Sequence, residues 1–528
     1  LETIVYKSAE QRLKRIVNSH EKDLFDETQY GLEKESLRVS EQGKIAQTPH
    51  PQSLGSALTH PYITTDYSEA LLELITPPLT SVSAAMEFLQ HTHQFVYSKL
   101  GNEILWATSM PCIVTGESSI PIAYYGESNP GKMKTVYRRG LGYRYGKMMQ
   151  VIAGVHYNYS LSDKFWRIFQ ELEQDSRPSQ DFVSHAYFCM MRNLQRYGWL
   201  IPYLFGASPA VCKSFLKGIP SELEQFDEYT YYEPYATSLR VGDIGYQNYK
   251  EGISGIKANY DDLDAYVKSV THAIETVCPE YEKVGIKVDD EYRQLNANLL
   301  QIENEYYSSV RPKQLTGREE KPSLALKRRG VRYLELRSLD VNVYHPLGVH
   351  EQQLYFLEAF LIFCLLQDSP PINADERKAI DKNLTTTAHR GRDPELQLNH
   401  NGKPHLLSDW GQEICLAMEN LCRMLDEMKN VSVYCNALQG QLRLLQDANE
   451  TPSAKILAEM RREKEAFFPF SMRYSQQHYH YFRSLELPLD IQQMFVQETE
   501  KSLQQQRYLE SAQEVSFDEY LERYFAQR

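Results

Sequence analysis

What most constrains this chain is a set of short runs that alternate in character at every residue and gather acids on one side. "GLEKESLRVS" (residues 31–40) sets Glu33 and Glu35 two apart. In a strand, successive side chains leave opposite faces, so these carboxylates project the same way, about 7 Å apart along the backbone. The arrangement recurs. "LQIENEYY" aligns Glu303 and Glu305 with Gln301 and Tyr307, and "RYLELRSLD" aligns Glu335 with Arg337, against Leu334 and Leu336. "GVHYNYS" aligns His156 and Asn158 against Val155 and Tyr157. "TTDYSEALLEL" adds Asp66, Glu69 and Glu73, the last two sharing a face whether the segment is helix or strand. Taken singly, each run reads as a half-buried strand with its polar side in water. Taken together they read differently, because solvated faces mix in Lys, Thr and Ser, whereas these gather Glu, Asp, His, Asn, Gln and Arg.

Carboxylates about 4 Å apart repel by roughly 4 kcal/mol per pair at an effective dielectric near 20. A sheet that brings several such runs together therefore needs cations. Oxygen ligands with one imidazole suit Mg²⁺ or Mn²⁺, and a neighbouring Arg suits a phosphate bridged to those ions. If the strands meet, a magnesium-nucleotide site is the consequence.

The rest of the chain frames that site. With 528 residues, 24% charged and 42% hydrophobic, it has the composition of a globular protein and two to four domains' worth of material. A net charge of −13 argues against a general nucleic-acid binder. Eight scattered cysteines without a C-x-x-C pair predict reduced thiols in a cytoplasmic protein, with neither disulfide nor zinc. The N-terminus lacks a signal-peptide core, and the longest apolar run, "AFLIFCLL" (359–366), predicts a buried helix rather than a membrane span. Strand-like runs end near residue 345, after which helical periodicity dominates. "WGQEICLAMENLCRMLDEM" puts Trp410, Ile414, Met418, Leu421, Leu425 and Met428 on one stripe. The pattern predicts an α+β catalytic region over 1–347 and a mainly helical C-terminal region over 348–528 packed on it.

Two motifs mislead. "GESNPGKM" (126–133) approaches a phosphate-binding loop, but Met133 has no hydroxyl for magnesium, so the segment is expected to be a surface loop around an Asn129-Pro130-Gly131 turn. The glycines of "RRGLGYRYG" miss the dinucleotide spacing. The histidine pairs of "QHTHQ" and "HYHYF" lack the i, i+4 spacing of a zinc helix and read as surface or packing residues.

At these same residues the chain resembles a known family. "GLEKESLR", "LGSALTHPYITTDYSEALLELITPP", "YGESNPGKMKTVYRRGLGYRYG", "QVIAGVHYNYSL", "PYLFGASPAVC", "PYATSLRVGDIGY", "LQIENEYYSSVRPK" and "YLELRSLDVN" look like successive blocks of the proteobacterial-type glutamate-cysteine ligases, over about residues 25 to 370. The resemblance implies a glutamine-synthetase-like fold, a curved, mainly antiparallel sheet forming an active-site funnel with helices around it. It implies that ATP phosphorylates the side-chain carboxylate of glutamate and that the amine of cysteine attacks the acyl phosphate, giving γ-glutamylcysteine, ADP and phosphate, the first step of glutathione biosynthesis. Carried over, Glu33, Glu35, Asp66, Glu73, His156 and Glu335 would hold several Mg²⁺ or Mn²⁺ ions. Arg337 would be catalytic, neutralising the transferring phosphoryl group, and Arg311 would contact nucleotide phosphate. Arg240 would meet a substrate carboxylate. Tyr137, Gln150, Tyr246, Tyr307, Tyr67 and Leu141 would shape the cysteine pocket. Tyr67 stands where familiar members carry Phe.

The resemblance further implies a monomer open to feedback inhibition by glutathione, without nucleic-acid or membrane partners. The chain is shorter than relatives that carry the glutathione-forming step on a C-terminal extension. Other readings keep the scaffold but change the chemistry: a glutamate-amine ligase with another acceptor, or a guanidino kinase, which would release no phosphate. A non-catalytic metal-binding interaction protein would be indifferent to Glu33→Gln.

Overall fold

The computed structural model describes residues 6–21, 23–216, 221–245, 257–317 and 319–527. Four of the alternating runs do form strands, and they join one antiparallel sheet. It contains β1 (Gln29–Val39), β2 (Ile63–Thr65), β3 (Leu71–Ile75), β4 (Ile104–Leu105), β5 (Val155–Ser160), β6 (Val310–Lys313) and β7 (Tyr333–Leu339). The order across the sheet is β6-β7-β5-β1-β3-β2, with β4 pairing to the far end of β1. β1 is the longest strand and sits between β5 and β3, so its residues reach both flanks.

Register decides which side chains share a face. Glu33 lies opposite His156, and Glu35 opposite Glu73. Glu335 lies opposite Asn158 on one side and Arg311 on the other. A register shift between Leu336 and Leu339 breaks the pairing of β7 with β5 just after Glu335, the kind of bulge that re-aims neighbouring side chains.

The other face is closed by protein. Leu32, Tyr157, Tyr159, Leu334 and Leu336 are fully buried there. The apolar run at 359–366 lies in a helix, Glu351–Leu366, buried nearly all round. Its one fully buried acid, Glu358, accepts from Tyr30 (2.8 Å), Tyr434 (2.6 Å) and Lys429 (3.0 Å), so the charge is satisfied where water cannot reach it. The principal core is continuous from Tyr6 to Phe495 and draws on residues either side of position 347. No helix among the described residues is long and apolar enough to cross a membrane.

Several local expectations are corrected. Glu303 and Glu305 are not in a strand: Glu303–Glu305 is a single 3-10 turn. Its Glu305 is taken up by Arg144 at 2.8 Å, with no exposure of either side chain. The 126–133 segment is no surface loop. Ser128 caps a helix, Asn129–Tyr145, by accepting from Gly131, and Asn129, Gly131 and Met133 are buried. A Cβ on Gly131 would lie 2.3 Å from the Tyr125 carbonyl, so only glycine admits that close approach. The stripe from Trp410 to Met428 is carried by two helices, Leu407–Ala417 and Glu419–Lys429, broken at Met418. Of the eight cysteines, Cys112 and Cys212 are joined in a disulfide, contrary to the expectation of reduced thiols throughout, while the other six are free. Composition and spacing cannot reveal a pairing made across 100 residues by tertiary proximity. His93 and His478 are buried packing residues, and His93 stacks on Phe482.

Candidate active site

The polar face of the sheet gathers the acids. His156 on β5 stands at the centre: its Nδ1 is 3.1 Å from Glu33 and 3.8 Å from Glu335, and its Nε2 is 3.7 Å from Glu35. Glu33, Glu73 and His156 each offer a ligand atom, all within 4.8 Å of one another. Asn158 Nδ2 donates to Glu33 at 2.8 Å, and the Gly154 amide donates to Glu35 at 2.6 Å. One oxygen of Glu335 and the side-chain Oδ1 of Asn158 are buried without a hydrogen-bond partner. Buried acceptors left open beside several carboxylates are what a cation would satisfy.

A basic edge runs along β6 and β7. Arg337 Nη1 contacts Glu335 at 3.0 Å, and Lys313 reaches the same oxygen at 3.3 Å. Arg311 donates to the carbonyls of Asn304 (3.0 Å) and Tyr306. On the opposite rim Asp66 faces Arg138 at 3.7 Å, whose guanidinium lies 4.6 Å over the Tyr125 ring.

The acids divide by their surroundings. Burial raises the Glu73 carboxyl, and Glu33, Asp66 and Glu35 push it further, well above the carboxylate range. Burial raises Glu35 as well. Burial would also raise Glu335, but Lys313, Arg337 and His156 outweigh it and hold the group well below the ordinary value. Glu33 follows the same logic: burial is overcome by its hydrogen bond to His156, and the net shift is downward. The acids nearest the basic edge are thus favoured as anions, whereas for Glu35 and Glu73 burial and neighbouring carboxylates outweigh the more distant cations such as Arg337.

The other residues singled out from the sequence fall as follows. Tyr137 and Leu141 lie on the Asn129–Tyr145 helix, and Gln150 in the short Met149–Val151 turn. Tyr67 lies between β2 and β3, beneath that helix, and its hydroxyl has no hydrogen-bond partner. Tyr307 follows the turn that holds Glu305. Arg240 is 1% exposed and donates to the Arg337 carbonyl at 3.0 Å; its guanidinium would collide with a Cβ on Gly154. Tyr246 lies outside the described residues. Sequence reading passed over Lys313, Asn158 and Arg138 as site residues. Lys313 sits two past Arg311 on one strand, and Asn158 two past His156, so alternation held the signal. Arg138 had none, because only the start of its helix, within 126–133, is given a structure by the sequence pattern, and there as a surface loop.

A polar sheet face bearing clustered carboxylates, one imidazole and an adjoining cationic edge is the arrangement expected of an enzyme that acts on a nucleotide phosphate, with acids suited to a divalent cation. The glutamate-cysteine ligase family model matches residues 13–387, and the chain belongs to that family. It is similar to the glutamate–cysteine ligase of Alcanivorax borkumensis, 46% identical over 98% of this chain and 99% of that one. That of Pseudomonas paraeruginosa is 48% identical over 95% of each. Among solved structures, the glutamate–cysteine ligase of Francisella tularensis in complex with AMP superposes with a TM-score of 0.88 at 36% identity, covering 94% of this chain and 97% of that one. A bifunctional glutathione synthetase from Pasteurella multocida gives 0.71 at 25% identity, covering 89% of this chain and 55% of its own.

Proposed function

We propose that the chain joins the γ-carboxylate of L-glutamate to the amine of L-cysteine at the expense of ATP, releasing γ-glutamylcysteine, ADP and phosphate. The observation that carries this reading, beside the family, is the convergence of Glu33, Glu73 and His156 next to the Glu335–Arg337 pair on one sheet face. In the first step a glutamate carboxylate oxygen attacks the γ-phosphorus, the bond to the ADP oxygen breaks, and an acyl phosphate forms. In the second the cysteine amine attacks the acyl carbon, loses a proton, and phosphate leaves.

Glu33, Glu35, Asp66, Glu73, His156 and Glu335 fit Mg²⁺ or Mn²⁺: they are hard oxygen donors with one imidazole, and Glu335 keeps a buried oxygen open. Bound there, such ions supply positive charge against the phosphate oxygens. The chain's own contribution is positioning and charge. Arg337, held by Glu335, meets the charge on the phosphoryl group as it passes, and Lys313 and Arg311 extend that edge toward the nucleotide. Tyr137, Leu141, Gln150, Tyr67 and Tyr307 line the acceptor side and keep water from the acyl phosphate. Arg240 fixes a substrate carboxylate. A monomer at work in the cytoplasm, inhibited by glutathione because it contains the product's γ-glutamylcysteinyl moiety, completes the reading.

Phosphate release from Mg-ATP with each amino acid withheld in turn tests it. Release should require glutamate and cysteine together; release that ignores cysteine but answers to another amine overturns the acceptor assignment.

A further inference from the structure

The helix Ala374–Arg390 ends against the loop that carries Arg240, three residues past the segment matched by the family model. Its last turn presents His389, whose Nδ1 lies 2.7 Å from Glu233 and whose Nε2 lies 2.9 Å from Asp243. Nδ1 is hydrogen-bonded to Glu233, while Nε2 stands at ion-pair distance from Asp243 without a hydrogen bond to it, and two carboxylates flanking one ring favour the imidazolium by charge. A helix C-terminus favours the same charge. Burial pulls this group down, but the bond to Glu233 and the charges of Glu233 and Asp243 raise it above the ordinary histidine value. Among the described residues, those two carboxylates are the charged groups facing the ring. Arg390 pairs with Asp393, and Arg392 is engaged by the carbonyls of Pro234 and Ala236.

The loop is pressed onto this helix end. A Cβ on Gly242 would lie 2.7 Å from His389 Nε2, so the ring packs directly on backbone. The orphan carbonyls at the helix terminus are satisfied by the same segment: Ala388 accepts from Thr237 (2.8 Å) and Ser238 (3.2 Å), and Thr387 from the Thr237 hydroxyl (2.9 Å). Two turns earlier on the helix, Asp381 pairs with Lys257. One helix therefore grips the chain at positions 237–243 and again at 257.

We propose that His389 is a positioning residue for amino-acid binding: its imidazolium, clamped between Glu233 and Asp243, fixes the loop 240–245 that presents Arg240. The inference rests on the ligase reading above. It gives the last turn of this helix a role in substrate affinity without contact with the reacting atoms.

His389→Gln should raise KM for glutamate or cysteine about tenfold, leaving KM for ATP and kcat within twofold. In the unsubstituted enzyme that same KM should rise toward alkaline pH as the imidazolium is lost, and His389→Gln should remove this pH dependence. Asp243→Asn provides the control against misfolding, since that side chain is 62% exposed. It should reproduce the KM effect, and the double variant should add nothing to it. A KM and pH profile unchanged in both single variants, or effects that add in the double variant, overturn the proposal. Absence of any glutamate- and cysteine-dependent phosphate release in the unsubstituted enzyme would instead sink the ligase reading itself.

Discussion

Burial and repulsion from three neighbouring carboxylates disfavour the Glu73 anion that a cation site needs. Replacing it with Gln should relieve that repulsion. The melting temperature measured in a chelator should rise by about 2 °C or more, while phosphate release falls on the order of a hundredfold or more. A variant both active and less stable would contradict its place in the cation site. Arg337 sits on the opposite side of the balance. Arg337→Ala should lower kcat by about 10²–10³-fold with little change in KM for glutamate, and Arg337→Lys should not restore it, because an ammonium cannot reproduce the planar fork. Tyr67 is a different case: its buried hydroxyl lacks a partner, so Tyr67→Phe should stabilise the chain by about 1 kcal/mol in urea unfolding. Residue types and two-residue spacing made Glu33, Glu35, His156 and Glu335 visible in the sequence as acids and imidazole on strand faces. What they touch was not visible, since Glu35 bonds to the Gly154 amide, more than a hundred positions away.

At the level of elements, the strands at 33, 156 and 335 follow from alternation, whereas the run at 73 fits helix or strand in sequence and is a strand by its pairing with β1. Glu303 and Glu305 share that period but form a 3-10 turn, since Arg144, the Tyr145 hydroxyl and the Gln301 amide all donate to Glu305, partners that a strand could not have reached. The helix that begins at Asn129 was hidden by glycines that elsewhere break helices and here admit close packing. That turn and that helix are joined by the Arg144–Glu305 pair, which fixes Tyr307 relative to Tyr137. Arg144→Met should leave Glu305 buried without its cation, cost about 3–5 kcal/mol in urea unfolding, and raise KM for cysteine. Unchanged stability would show that the pair holds nothing in place.

Across the whole molecule, several histidines are buried neutral: burial lowers His478 and His50 to about 3, and His60 and His345 to about 4. In the unfolded chain each takes a proton near 6.5, so the unfolded state binds more protons below that pH. Their contribution to stability is fully present above 6.5 and is lost as pH falls toward the folded values, by up to about 1.4 kcal/mol per pH unit for each. Unfolding midpoints between pH 7 and 5 should show this slope, and His478→Gln should flatten it by one proton's worth; an identical slope in the variant would exclude the residue. The convergence of strands from residues 33 to 337 onto one face was the least legible feature, because register between distant segments leaves no mark in local pattern. The central claim is that this convergence activates the glutamate side-chain carboxylate as an acyl phosphate. Glutamate labelled with ¹⁸O in that carboxylate tests it most directly: one labelled oxygen should appear in the released phosphate for each γ-glutamylcysteine formed, whereas unlabelled phosphate, or label carried into AMP, would contradict the account.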